Sequence, residues 1–291
     1  MTRALFITGF NRSGTTLITS AATEAAGGAT LTVGYLARHM PKVDAFLKAA
    51  ESAEIPPDRG VDRLPVTPST PEEYGWLLAA KTGQLAFGFR AAKSRVLHQA
   101  VDEIGAEANA DTVVLKNPWD TGKEGKLLDA FAGSRVIIVR RQLSAIENSL
   151  SRAWERMASN NAWVQALMDN PDFAAQIGAV LADPEARAKM VDDSRAKMRA
   201  DAKSLADSVA SLPLDRTAFV SYDELRADPR AGAAWLSHLL DADAFAASVS
   251  ANTFPEFNQT SSDDELDTYW ADSWNKVRQQ QIEAGILTAP K

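Results

Sequence analysis

Apolar residues are spaced in two ways along this chain. Residues 4–8, 112–115 and 136–139 are short apolar runs, each partly β-branched or aromatic, and they predict buried strands. Residues 217–221 form a fourth run after the turn-like Leu212-Pro213-Leu214-Asp215. Runs that lack polar alternation suit parallel strands covered on both faces. Two of them lead straight into helical spacing. Leu17, Ile18, Ala21, Ala22 and Ala25 share a helix face that Gly27-Gly28 ends, and Leu143, Ile146, Leu150, Trp154 and Met157 repeat with the same period. Strand followed by helix, repeated, predicts the α/β class with a doubly wound, mostly parallel sheet.

Residues 161–211 are rich in Ala, Asp, Lys, Arg and Met and are interrupted by Pro171 and Pro184. They predict helices inserted between strands, a cap over about 155–211. Residues 51–71 hold Pro56, Pro57, Pro65, Pro68 and Pro71 and predict a surface loop. Residues 258–266 are polar and acidic, and the chain then turns aromatic at Tyr269, Trp270 and Trp274. No linker or internal repeat divides the chain, so residues 1–291 are expected to form one domain with helical insertions.

Composition narrows the function classes. The 31 Lys+Arg against 38 Asp+Glu leave a formal charge of -7, which argues against a nucleic-acid partner, since that would need a basic face. The absence of Cys excludes a disulfide framework, thiolate metal sites and a cysteine nucleophile. His39, His98 and His238 are too far apart for a His-x3-His metal pair. The first residues lack the apolar run and cleavage site of a secretion signal, and nothing approaches the ~18 continuous apolar residues of a membrane helix. A cytoplasmic protein with no membrane partner is expected.

The chemistry concentrates where the first strand meets the first helix, in Gly9-Phe10-Asn11-Arg12-Ser13-Gly14-Thr15-Thr16-Leu17. Gly9 and Gly14 permit positive φ, so that successive N–H groups can turn toward an anion, and the helix start adds free amides and its dipole. Ser13, Thr15 and Thr16 add hydroxyl donors. The G-x4-G spacing is that of a nucleotide-binding phosphate loop, but Thr15 stands where triphosphatases carry Lys, and the cation is instead Arg12. No predicted strand ends in an Asp for Mg²⁺. The first ends at the loop, the second runs into Lys116 and the third into Arg140-Arg141. The loop therefore reads as a 5′-phosphate site with neither γ-phosphate nor metal, on a fold of the phosphate-loop NTPase type.

The segment from Gly9 to Leu17 resembles the 5′-phosphosulfate loop of sulfotransferases that use 3′-phosphoadenosine-5′-phosphosulfate, in an Arg-Ser-Gly-Thr-Thr variant. The resemblance implies a second element, a strand ending in Arg with Ser eight residues later, to grip the 3′-phosphate. Arg141 and Ser149 stand at that spacing, although the family's Asp-Pro-Arg after the Arg is here Gln142-Leu143-Ser144. It also implies that Lys116, in Val114-Leu115-Lys116-Asn117-Pro118, approaches the sulfuryl group or the bridging oxygen. Tyr222, in Ser221-Tyr222-Asp223-Glu224-Leu225, would lie near the adenine. A late basic Arg-Lys-Gly motif of some members is absent.

The implied activity is sulfuryl transfer to a hydroxyl of a small molecule or carbohydrate, leaving adenosine 3′,5′-bisphosphate and using no metal. The implied cofactor site is Asn11, Arg12, Ser13, Gly14, Thr15, Thr16, Arg141, Ser149 and Tyr222. Arg12 and Lys116 would stabilise the departing phosphate. An acceptor hydroxyl also needs a proton acceptor. Related enzymes place a His or Glu after the first helix or beside the Lys-bearing strand, and His39 is the candidate here, with Asp44 and Asp120 as stand-ins. Trp119, Trp154, Trp163, Trp270 and Trp274 are candidate walls for the acceptor. Two other functions stay open, a small-molecule kinase on a degenerate phosphate loop and a non-catalytic nucleotide-binding protein.

Overall fold

The computed structural model describes residues 2–54, 57–62, 64–87, 91–168, 170–251 and 264–288. Five strands form one parallel sheet: β1 (Arg3–Thr8), β2 (Ala29–Thr30), β3 (Thr112–Lys116), β4 (Arg135–Arg140) and β5 (Thr217–Ser221), in the order β2-β3-β1-β4-β5. The four apolar runs are the four long strands. β2 is a two-residue edge strand, too short to leave a pattern in the sequence.

Helices fill the crossovers. Before β3 come α1 (Thr15–Ala25), α2 (Val33–Ala37), α3 (Pro41–Glu51), α4 (Tyr74–Thr82) and α5 (Ala91–Ala108), and α6 (Glu124–Ala130) precedes β4. Between β4 and β5 lie α7 (Leu143–Ser159), α8 (Ala162–Leu167), α9 (Pro171–Ala182) and α10 (Pro184–Ser208). After β5 come α11 (Tyr222–Ala227), α12 (Pro229–Ala234), α13 (Ala242–Ala251) and α14 (Glu265–Glu283). The helix carrying Leu143 runs unbroken to Ser159, and α8, α9 and α10 follow it before β5.

Strand side chains alternate between two cores, as a two-residue period requires. Leu5, Ile7, Val114, Ile137, Val139 and Val220 face Ile18 of α1 and Phe245 and Val249 of α13. Phe6, Val113, Leu115, Val136, Ile138 and Phe219 face the other core, with Leu97 of α5, Leu127 of α6 and Trp270 and Trp274 of α14. Burial on both faces is why the runs show no polar alternation. β1 has β3 on one side and β4 on the other, so the crevice past its carboxyl end is a topological switch point, where open α/β sheets place ligands.

Candidate active site

The chain leaves β1 at Thr8 and enters α1 at Thr15, with positive φ at Gly9 (142°), Arg12 (73°) and Gly14 (96°). Glycine is required at position 14, because a Cβ there would lie 2.3 Å from Cδ2 of Tyr222. Arg12 carries its side chain in the left-handed region, which a non-glycine residue holds where its surroundings enforce it. Its carbonyl accepts Arg141 Nη1 at 2.8 Å, and its Nε donates to Ser149 Oγ at 3.1 Å. The Gly9 N–H donates to Thr121 Oγ1 at 3.0 Å and ties the start of the loop to the turn after β3.

Gly14 caps α1 with no side-chain hydrogen bond, and the Ile18 N–H donates to the Gly14 carbonyl at 3.2 Å. The amides of Thr15, Thr16 and Leu17 precede that bond and stand at the positive end of an 11-residue helix. Asn11 is exposed, and Ser13 is buried, with its Oγ toward Gly9 and no hydrogen-bond partner among the described residues.

Arg141 follows β4 directly, and Ser149 lies on the buried side of α7. Tyr222 opens α11 after β5, and its ring lies 4.7 Å from the Arg141 guanidinium carbon. Burial holds the Arg141 pKa below the usual guanidinium range and pushes the Tyr222 phenol up. The two predicted anion grips are thus contiguous, joined by the Arg12–Ser149 and Arg141–Arg12 hydrogen bonds.

Lys116 is fully buried at the carboxyl end of β3 and donates from Nζ to Glu73 Oε1 at 2.6 Å and to Thr16 Oγ1 at 3.1 Å. Arg59 Nη2 reaches the same Thr16 hydroxyl at 3.5 Å. A hydroxyl that accepts twice keeps its hydrogen to donate. Arg59 is gripped by Asp62, with Nη2 2.5 Å from Oδ2, and lies 3.5 Å from Glu72. Asp62 Oδ2 also takes Arg12 Nη1 at 3.4 Å.

These pairings set the charges. Burial pulls Arg59 down, but Glu72 and Asp62 outweigh it and raise the net value. Burial pushes Glu73 up, yet Lys116 beside it holds the carboxyl well below the carboxylate range. Glu72 is pushed up to about 8 by burial and then by the charge of Glu73. The second Glu73 oxygen accepts Trp76 Nε1 at 3.1 Å, and Trp76 packs edge-on against Trp119 at 5.0 Å.

Arg59, Asp62 and Glu73 were not among the residues predicted from sequence. The first two come from the segment expected to be a surface loop, yet Arg59 is 4% exposed. Asp58 pins that segment to the end of α7 by accepting Arg156 Nη2 and Asn160 Nδ2, both at 2.9 Å. Its only trace in the sequence is a string of charges, Asp58-Arg59, Asp62 and Glu72-Glu73, among prolines. Nothing in that string says which way the loop folds.

His39 lies past α2, half-buried, with its ring 4.9 Å from Tyr35. Burial and then Lys81 lower its pKa, against Glu103. Its ring packs on Tyr35, its backbone N–H donates to the Leu36 carbonyl, and the charges that act on it are those of Arg38, Lys81, Glu103 and Glu107. Asp120 is buried and accepts Tyr74 Oη at 2.6 Å, the Phe87 N–H at 2.7 Å and Asn117 Nδ2 at 2.7 Å, which props the turn after Lys116. Trp163, Trp270 and Trp274 are core residues. The cations Arg12, Arg59, Lys116 and Arg141, with the Thr16 and Ser149 hydroxyls and the α1 amides, make a donor set for a polyanion, and Asp62 already stands on two of them.

A sulfotransferase family model matches residues 4–247, a span that contains every residue of this donor set. Sulfotransferase STF1 from Mycobacterium tuberculosis H37Rv has a similar structure, with a TM-score of 0.54 at 16% identity over 95% of this chain and 77% of that one. Sulfotransferase STF9 from Mycobacterium avium gives a TM-score of 0.48 at 15% identity over 99% of this chain and 78% of that one. No curated protein sequence matches the chain. Among the described residues no helix is long and apolar enough to cross a membrane. The family match over most of its length places this chain in the sulfotransferase family.

Proposed function

We propose that this chain moves a sulfuryl group from 3′-phosphoadenosine-5′-phosphosulfate to a hydroxyl of a small molecule or carbohydrate. The observation that carries the reading is the contiguity of Arg12, Ser149 and Arg141, with Lys116 meeting the same loop at Thr16. The donor, when bound, supplies the activated sulfuryl group on a phosphate leaving group. Arg12, Thr16 and the amides of Thr15 to Leu17 would hold its 5′-phosphosulfate, Arg141 and Ser149 its 3′-phosphate, and Tyr222 the adenine side. Lys116 and Arg12 place fixed positive charge where negative charge grows on the leaving phosphate.

Glu73, rather than His39, takes the acceptor proton in this reading. It is bonded to Lys116 Nζ, and its depressed pKa keeps it ionised. A Lys116 that turns toward an incoming anion leaves Glu73 a more basic carboxylate.

Calorimetric titration with adenosine 3′,5′-bisphosphate tests the binding site. Arg12→Ala and Arg141→Ala should each weaken binding at least about tenfold, the loss expected for a charge-assisted hydrogen bond. Unchanged affinity in both variants would refute the assignment. So would a thermal shift with ATP–Mg²⁺ and none with the bisphosphate, the behaviour of a kinase.

A further inference from the structure

The helix that carries Ser149 begins without a cap of its own. Gln142 precedes α7 and makes no side-chain hydrogen bond to its first turn. The Leu143 N–H instead donates to Asp267, whose carboxylate oxygens lie at 2.9 and 3.0 Å. The Gln142 N–H donates to Asp223 Oδ2 at 3.0 Å. Arg140, on the other side of Arg141, donates from Nη2 to the Asp267 carbonyl at 3.2 Å and lies over the Trp270 ring. Asp267 is 6% exposed and belongs to α14, which lies beyond the span that the family model matches.

Arg141 is therefore flanked by three residues pinned from outside, two of them by Asp267. The Asp267 carboxylate holds Leu143, its backbone carbonyl holds Arg140, and the first of these fixes the first turn of α7 and with it the stand of Ser149. Gln142, where the resemblance has an Asp, makes no side-chain cap, and one of the free amides of that first turn, the Leu143 N–H, is met from the far end of the chain.

We propose that Asp267 is a positioning residue for the 3′-phosphate grip, its carboxylate acting through the Leu143 N–H to hold the start of α7, and with it Arg141 and Ser149, in place. The proposal rests on the assignment of Arg141 and Ser149 to a 3′-phosphate. The Asp267 carboxylate bonds neither Arg141 nor Ser149 but the residue that opens α7, so its effect should be confined to ligands that bear that phosphate.

The test is calorimetric titration of the full chain with adenosine 3′,5′-bisphosphate and with adenosine 5′-monophosphate. Asp267→Ala should weaken the bisphosphate about tenfold, the scale of a lost buried cap, and leave the monophosphate unchanged. Asp267→Asn, whose amide oxygen still accepts the Leu143 N–H, should restore most of the selectivity. Asp267→Ser, too short to reach, carries the expectation of the Ala variant should that one not fold. Equal losses for both ligands, or none for either, overturn the proposal and leave the grip assignment intact. A wild-type chain that binds the two ligands equally overturns the grip assignment and the proposal with it.

Discussion

At the scale of single residues, the site is decided by which charges share an atom. The Thr16 hydroxyl accepts from Lys116 and Arg59, and Asp62 Oδ2 accepts from Arg12 and Arg59. Lys116, Arg59 and Asp62, from two segments, are thereby held against Arg12 and Thr16. Glu73 joins them through Lys116, which keeps it ionised, and in the proposed mechanism it becomes the proton acceptor when Lys116 turns toward the donor. Glu73→Gln should lower turnover by about 10²–10⁴-fold, the usual share of a general base, with bisphosphate affinity retained. His39→Ala should turn over like the parent chain. Steady-state kinetics with any accepted hydroxyl substrate checks both, and a collapse in the His39 variant alone would return the role to histidine.

Elements set the stage on which those residues meet. The loop after β1 is anchored through Gly9 to Thr121, and the turn beyond it is closed by Glu124 at the start of α6, whose Oε1 accepts the Gly122 N–H at 3.1 Å. Glu124 is fully buried, and burial pushes its carboxyl up to about 7 from the ordinary 4.5. A carboxyl raised on folding is tolerated while protonated and penalised once ionised. The chain should therefore lose about 3 kcal/mol of stability as pH rises from about 4.5 through 7. Glu124→Gln removes that penalty. Its unfolding free energy relative to the parent should grow between about pH 5 and about pH 8 in denaturant titrations, and a difference that does not change with pH would contradict the burial argument.

The four long strands and the helices after β1 and β4 were legible because each element's own spacing carries its signal. The edge strand β2 and the inward fold of the Asp58–Arg59 segment were not. One is two residues long, and the other is held by partners about a hundred residues away, Arg156 and Asn160.

Over the whole molecule, an acidic chain of net charge -7 gathers Arg12, Arg59, Lys116 and Arg141 at one edge of its sheet. The arrangement is backed from below by α14. Trp270 is fully buried there, edge-on to Phe10 of the loop between β1 and α1 at 5.5 Å and to Trp274 at 5.6 Å. Trp270→Ala should cost about 3–5 kcal/mol, as large-to-small core changes do, and should weaken bisphosphate binding as well. Thermal unfolding and calorimetry on the same variant separate the two effects. A lower melting temperature with unchanged affinity would show that α14 supports the fold without supporting the loop.

What local pattern can express, the sequence determined by itself: the α/β class, the strand-to-helix loop with Arg12, the Arg141–Ser149 spacing and Lys116 at a strand end. Each is a relation between residues at most a few turns apart, and backbone geometry reads such relations directly. Only the tertiary structure decided that Arg59 and Asp62 turn inward, that Glu73 sits on Lys116, and that Asp267 caps a helix begun more than a hundred residues earlier. Those pairings exist because buried charges and helix-end amides must find partners, and which partner is near depends on how the strands are ordered.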